Sequence, residues 1–199
     1  IFAKYPNAEI AELYVASLTS GSTPNATRAM EVLNTPSLQT NQNWRLIMLR
    51  GRVWAKASKP NEALADALLA WGKIDQTSRA DIQNYFRYFV GVFESPKDQG
   101  TALAQLERRS PFAGWALYHA SMLRLAIPGL ENQASSSLNQ LGEAIGLEPA
   151  LSAAVWSAIG ANAYRQKDYE NALKAFQRAL AATPEDPELN NNVAYTLGV

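Results

Sequence analysis

The sequence predicts an all-α chain built as an array of about five helical hairpins plus one extra helix. Three observations predict it. Apolar residues recur at helical spacing in short runs. No stretch alternates with period two for long enough to suggest a sheet. The same pattern returns at an interval: "LRGRVWAKASKPNEALADALLAWGKI" at 49–74 aligns with "AIGANAYRQKDYENALKAFQRALAAT" at 158–183. Gly51 then pairs with Gly160 and Ala63 with Ala172, which is three units of about 36 residues.

The units fall at about 7–35, 42–76, 78–110, 112–149, 150–184 and 187–199, within one array over 1–199. The first is the weak unit "EIAELYVASLTSGSTPNATRAMEVL". The second carries Gly51 and Ala63. The third places Phe86, Phe89, Val90 and Phe93 on one helix, and Ala102 and Leu106 on the next. The fourth has an insertion near "IPGLEN"; either His119 or Ala120 takes the small position, and Ser137 stands where alanine is expected. In the fifth, Val155, Trp156, Ile159, Gly160, Ala163 and Tyr164 mark one helix. Tyr169, Ala172, Leu173, Phe176, Ala179 and Leu180 mark the other. Asp168 caps the start of that second helix, and Thr183-Pro184 stops it. The short link Gln166 to Asp168 makes the two antiparallel. In the sixth unit, Asp186-Pro187 opens a helix whose partner is absent from this sequence. Pro24, Pro36, Pro60, Pro96, Pro111, Pro128, Pro149, Pro184 and Pro187 punctuate the array. Each helix is about 14 residues, close to the ~12–15 below which an isolated helix is marginal in water. Packing must hold them.

Composition narrows the function classes. The chain has 199 residues and a formal net charge of +0. Residues 1–100 carry 11 basic and 9 acidic side chains, and residues 101–199 carry 7 and 9. Neither half has the basic excess of a nucleic-acid binder. Cysteine is absent, which excludes disulfides, thiolate catalysis and zinc–thiolate sites. It leaves both cytoplasm and a bacterial envelope open as compartments. No run approaches the ~18 apolar residues of a membrane span. The chain opens without Met or a signal peptide and closes inside a helical pattern, so it reads as a piece of a longer protein.

Residues 153–186 resemble the tetratricopeptide repeat. Trp156, Ile159-Gly160, Tyr164, Tyr169, Ala172, Phe176, Ala179 and Pro184 fall at that family's spacing. Gly160 and Ala172 are small where paired helices cross, and Trp156, Tyr169 and Phe176 fill the space between layers. The closing "LNNNVAYTLG" is similar to an Asn-Asn-x-Ala-Tyr stretch of bacterial members. The resemblance implies a right-handed α-α superhelix, a solenoid whose concave face is lined by the first helix of each pair. It also implies a protein- or peptide-binding role.

No constellation for catalysis is visible. His119, the one histidine, sits among Trp115, Tyr118 and Met122 without metal-ligating or catalytic partners and reads as a packing residue. Gly142 and Gly146 of "LGEAIG" read as close packing in an amphipathic helix, and Asn25-Ala26-Thr27 as a helix start rather than a glycosylation acceptor. Trp44, Trp54, Trp71, Trp115 and Trp156 read as core, with Trp44 the one expected to be partly exposed. No cofactor or metal is expected.

Projecting the first helices on tetratricopeptide geometry turns a set of residues toward the concave face. They are Tyr14 in the first unit, Arg45, Arg52 and Lys56 in the second, Arg87 in the third and Arg124 in the fourth. Tyr164 and Arg165 follow in the fifth, and Asn191 and Asn192 in the last. Grouped cations would steer and pair an acidic segment. Lys and Arg near a helix C-terminus also complement the helix dipole, which is the bland explanation for the same residues. The carboxylate clamp that grips chaperone tails is incomplete, because Ala161 stands where an asparagine is needed. The leading expectation is a non-enzymatic scaffold that binds a protein or peptide, without nucleic acid and without membrane insertion. Alternatives are a structural spacer or assembly arm of a bacterial envelope or polysaccharide-export system, for which the small Ala154, Ser157, Ala158 and Ala161 are suited, or an accessory domain of a larger enzyme. Oligomeric state is not legible.

Overall fold

A computed structural model describes residues 8–19, 25–35, 38 and 43–198. Pro24 and Pro36, and the outer edges of the first, second and last units, lie outside them. The described residues form eleven α-helices and no strand. They are α1 (Ala8–Thr19), α2 (Ala26–Leu33), α3 (Trp44–Lys56), α4 (Pro60–Trp71), α5 (Arg79–Val92), α6 (Pro96–Arg109), α7 (Gly114–Leu125), α8 (Glu131–Gly142), α9 (Pro149–Arg165), α10 (Tyr169–Ala182) and α11 (Pro187–Leu197). Adjacent helices pack as pairs, as in a helical-repeat solenoid. The chain divides into two compact units, residues 1–110 and 111–199.

In the first unit, Ala11, Val15, Ala29, Val32, Leu33, Leu46, Leu49 and Val53 bury the seam joining α1, α2 and α3. Asn25 accepts the Arg28 backbone N–H at 2.9 Å, so the Asn-Ala-Thr triplet is a helix cap. α3 packs along α4, where Gly51 faces Ala63. A Cβ on Gly51 would lie 3.3 Å from the Ala63 carbonyl oxygen. The α5–α6 pair lacks such an approach. Phe89 and Phe93 instead pack on each other along that side of α5, with centroids 4.8 Å apart. Tyr85 is fully buried between Trp71 and Phe86 and donates its hydroxyl to the Ala67 carbonyl at 2.9 Å. Burial pushes that phenol well above its ordinary range.

Within residues 111–199, α9 and α10 pack along each other, and Gly160 lets them approach. A Cβ there would lie 2.7 Å from the Phe176 ring. The fourth unit keeps the same logic with alanines, since Ala120 and Ala134 are both fully buried. Ala120 rather than His119 therefore takes the small position, and the half-exposed Ser137 is not its counterpart. The insertion forms a loop over Ile127–Leu130, with buried Ile127 as its plug and Gly129 at φ +87°. Three expectations are corrected. Gly142 ends α8 and packs on Trp156, whereas Gly146 lies beyond the helix at φ +81°. Tyr169 is 36% exposed and does not fill the layer; the first residue of α10 stands at the rim. Among the tryptophans only Trp71 and Trp115 are buried; Trp54 and Trp156 are half-buried like Trp44. Lys59 lies over Trp54 at 4.8 Å, and Arg178 over Trp156 at 4.3 Å.

The turns of the second and fifth hairpins are the same motif. After α9, Lys167 N–H bonds the Tyr164 carbonyl and Asp168 N–H bonds the Ala163 carbonyl. After α3, Ser58 bonds Ala55 and Lys59 bonds Trp54. Both are Schellman caps, and the pivotal residues Lys167 and Ser58 sit at φ 64° and 58°, in the left-handed region that favours glycine. A left-handed non-glycine residue costs about 1–2 kcal/mol, part of which glycine's looser unfolded chain returns. Lys167→Gly and Ser58→Gly are each expected to raise stability by about 1 kcal/mol, read as a higher urea midpoint. A fall in either midpoint would show that the side chain, not the turn, decides.

Candidate functional site

The residues projected onto one face separate into groups. Within residues 1–110, Arg45, Arg52 and Lys56 lie on α3 at i, i+7, i+11, which is one stripe. Arg45 is exposed, with its guanidinium 5.5 Å from the Trp44 ring. Arg52 is half-buried, and its Nε is buried without a hydrogen-bond partner among the described residues. Lys56 pairs with Glu94 at 2.7 Å. That carboxylate follows the end of α5 and neutralises one cation, which the helix projection missed. No pattern along α3 signals it, because Glu94 lies 38 positions further on. Arg87 is exposed on α5. Among the described residues, Arg45 and Arg87 make no ion pair. Trp44 meets Tyr88 edge-on, with centroids 5.5 Å apart, adding an aromatic flank. Tyr14 lies on α1, 36% exposed, and engages Arg28 of α2.

In the second unit, Tyr164 forms a cluster that the sequence had only half shown. Its ring lies 5.2 Å from Tyr169 and 5.9 Å from Tyr195. Partial burial first, then the neighbouring Tyr195 hydroxyl, raises the Tyr164 phenol above its ordinary range. Arg165 is exposed and donates to Asn162 Oδ1 at 3.1 Å. Asn191 and Asn192 sit on α11, one turn before Tyr195. Tyr195 is 68% exposed, and its i+4 spacing from Asn191 was the signal that could have found it. Arg124 is corrected. It is 2% exposed, beside fully buried Ser121. It is not part of any exposed surface, because this turn of α7 faces inward.

Paired helices with small residues at the α3–α4 and α9–α10 crossings define a helical-repeat protein. Residues 153–186 match the family model of the tetratricopeptide repeat, so the fifth hairpin is a repeat of that kind. Comparison with curated proteins and with solved structures found no match. Tetratricopeptide repeats are generally non-catalytic and act as protein-interaction scaffolds, and that coarse role is the one the repeat supports here. No described helix is long and apolar enough to cross a membrane.

Proposed function

We propose that the chain is a non-enzymatic scaffold that holds a partner peptide on the faces presented by the first helices of its hairpins. The observation that carries this is the α3–α5 surface. Arg45 and Arg87 are exposed without carboxylate partners among the described residues, Arg52 is half-buried on the α3 stripe, and Trp44 and Tyr88 flank them. Cations of this kind favour an acidic segment, because arginine pairs a carboxylate with two parallel hydrogen bonds. Aromatic residues supply the anchors that dominate such interfaces. Within residues 111–199, Tyr164, Tyr195, Arg165, Asn191 and Asn192 offer an aromatic and amide counterpart with a single cation.

The test is charge reversal. Fluorescence anisotropy with a labelled Glu/Asp-rich peptide of about ten residues is expected to show binding to the wild-type chain that weakens as salt rises. Arg45→Glu with Arg87→Glu is expected to weaken it tenfold or more. Binding unchanged by the double reversal would remove the basic face from consideration.

A further inference from the structure

A groove within residues 111–199 lies on the opposite side of α9 from Tyr164 and Arg165. At 100° per residue, Trp156, Ile159, Asn162 and Gln166 project to the side opposite Ser157, Ala161, Tyr164 and Arg165. The groove holds about 850 Å³ and runs along α9 with α8 and α10 as its walls. From Trp156 to Gln166 it is about 15 Å long. That is room for four to five residues of extended chain at ~3.3 Å each.

Its lining is rich in side-chain amides. Asn132, Asn139, Gln166 and Gln177 all face it, and their amides make no hydrogen bond to the rest of the described chain. Asn162 joins them, held by Ser135 at 3.3 Å. Its charges are already spent. Arg178 pairs with Glu143 at 2.6 Å, and Lys174 with Glu170 at 2.6 Å. An acidic ligand would have to break one of these pairs. The aromatic floor, Trp156, is set against α8 because Gly142 has no Cβ; one there would lie 3.1 Å from the indole. The Arg178 guanidinium covers the indole at 4.3 Å, so its face is not open for stacking a sugar ring.

What remains is a row of groups that each offer one acceptor and two donors. The complementary ligand is one that repeats a donor and an acceptor along its length without charge. Peptide backbone is that ligand. We propose that this groove is a second binding site, independent of the first-helix face, that takes an extended, uncharged polypeptide segment by its backbone.

The experiment is selection of seven-residue peptides from a random library on the full chain, counter-selected on the Asn139→Ala, Gln166→Ala double variant. Both side chains are exposed, so the variant is expected to keep the wild-type circular dichroism and melting profile. Selected peptides are then synthesised, together with copies methylated at backbone nitrogens, and titrated. Uncharged peptides are expected to be enriched, to lose about tenfold in affinity on the double variant, and to lose at least as much on backbone methylation. The Tyr164→Ala, Arg165→Ala variant is expected to stay within twofold of wild type. Four results would overturn the proposal: no enrichment; enriched peptides that are acidic; equal binding of methylated peptides; or loss confined to the Tyr164 variant. Binding of a cello-oligosaccharide probe in the same groove, with no peptide bound, would overturn it in favour of a sugar site.

Discussion

Gly160→Val is expected to lower stability by about 3 kcal/mol, among the largest single-residue effects in the second unit. The site has no slack. A Cβ alone would lie 2.7 Å from two atoms of the Phe176 ring, and valine adds two more carbons. The ring cannot swing clear, because Phe176 is 5% exposed within the α9–α10 seam. Either α10 moves away from α9 or the ring leaves its place, and both cost packing on each side. The small gain in helix propensity over glycine, under about 1 kcal/mol, does not offset this. A double-mutant cycle checks the cause. Phe176→Ala alone is expected to cost about 3–5 kcal/mol. Combined with Gly160→Val it is expected to cost at least ~1 kcal/mol less than the sum, because the valine then fills part of the cavity. Strictly additive urea midpoints would mean that the two residues do not meet as the structure has them.

Asp66→Ala is expected to cost about 2–3 kcal/mol in the first unit. Asp66 is 6% exposed on α4 and accepts two bonds from Arg50 on α3, at 2.8 Å from Nε and 2.6 Å from the second nitrogen. Hydrogen bonding to Asp66 raises the Arg50 guanidinium above its ordinary value. The pair is bidentate, so geometry adds to charge. Arg50 is partly open to water and can rehydrate, which keeps the loss below that of a fully buried pair. Arg50→Lys preserves the charge but not the fork, and is expected to recover less than half of the loss seen in Arg50→Ala. Full recovery by lysine would show that simple attraction, and not the paired geometry, joins the two helices.

Much of the hairpin plan was legible. Gly51, Gly160, Ala63 and Ala172 are small in the sequence at equivalent places, and all four are buried. Spacing shows which stripe of a short helix must be buried, and a stripe requires no knowledge of the partner. The caps were legible for the same local reason: Asp168 accepts the Asn171 backbone N–H at 3.3 Å. The candidate site was less legible. Arg124 and Arg87 look alike in sequence, yet one is buried and the other exposed. Tyr169 and Phe176 look alike as layer fillers, yet only Phe176 is covered.

The sequence by itself determined the helices, the turn after α9, and the close crossings at Gly51–Ala63 and Gly160–Ala172. These depend on contacts within about 20 residues, where apolar spacing, caps and glycines act directly. Only the tertiary structure decided which polar groups stay available. Lys56 is neutralised by Glu94, 38 positions away, and Arg178 by Glu143, 35 positions away. A charge is silenced or left open by what another helix brings within about 3 Å of it, and no periodicity along one helix carries that information.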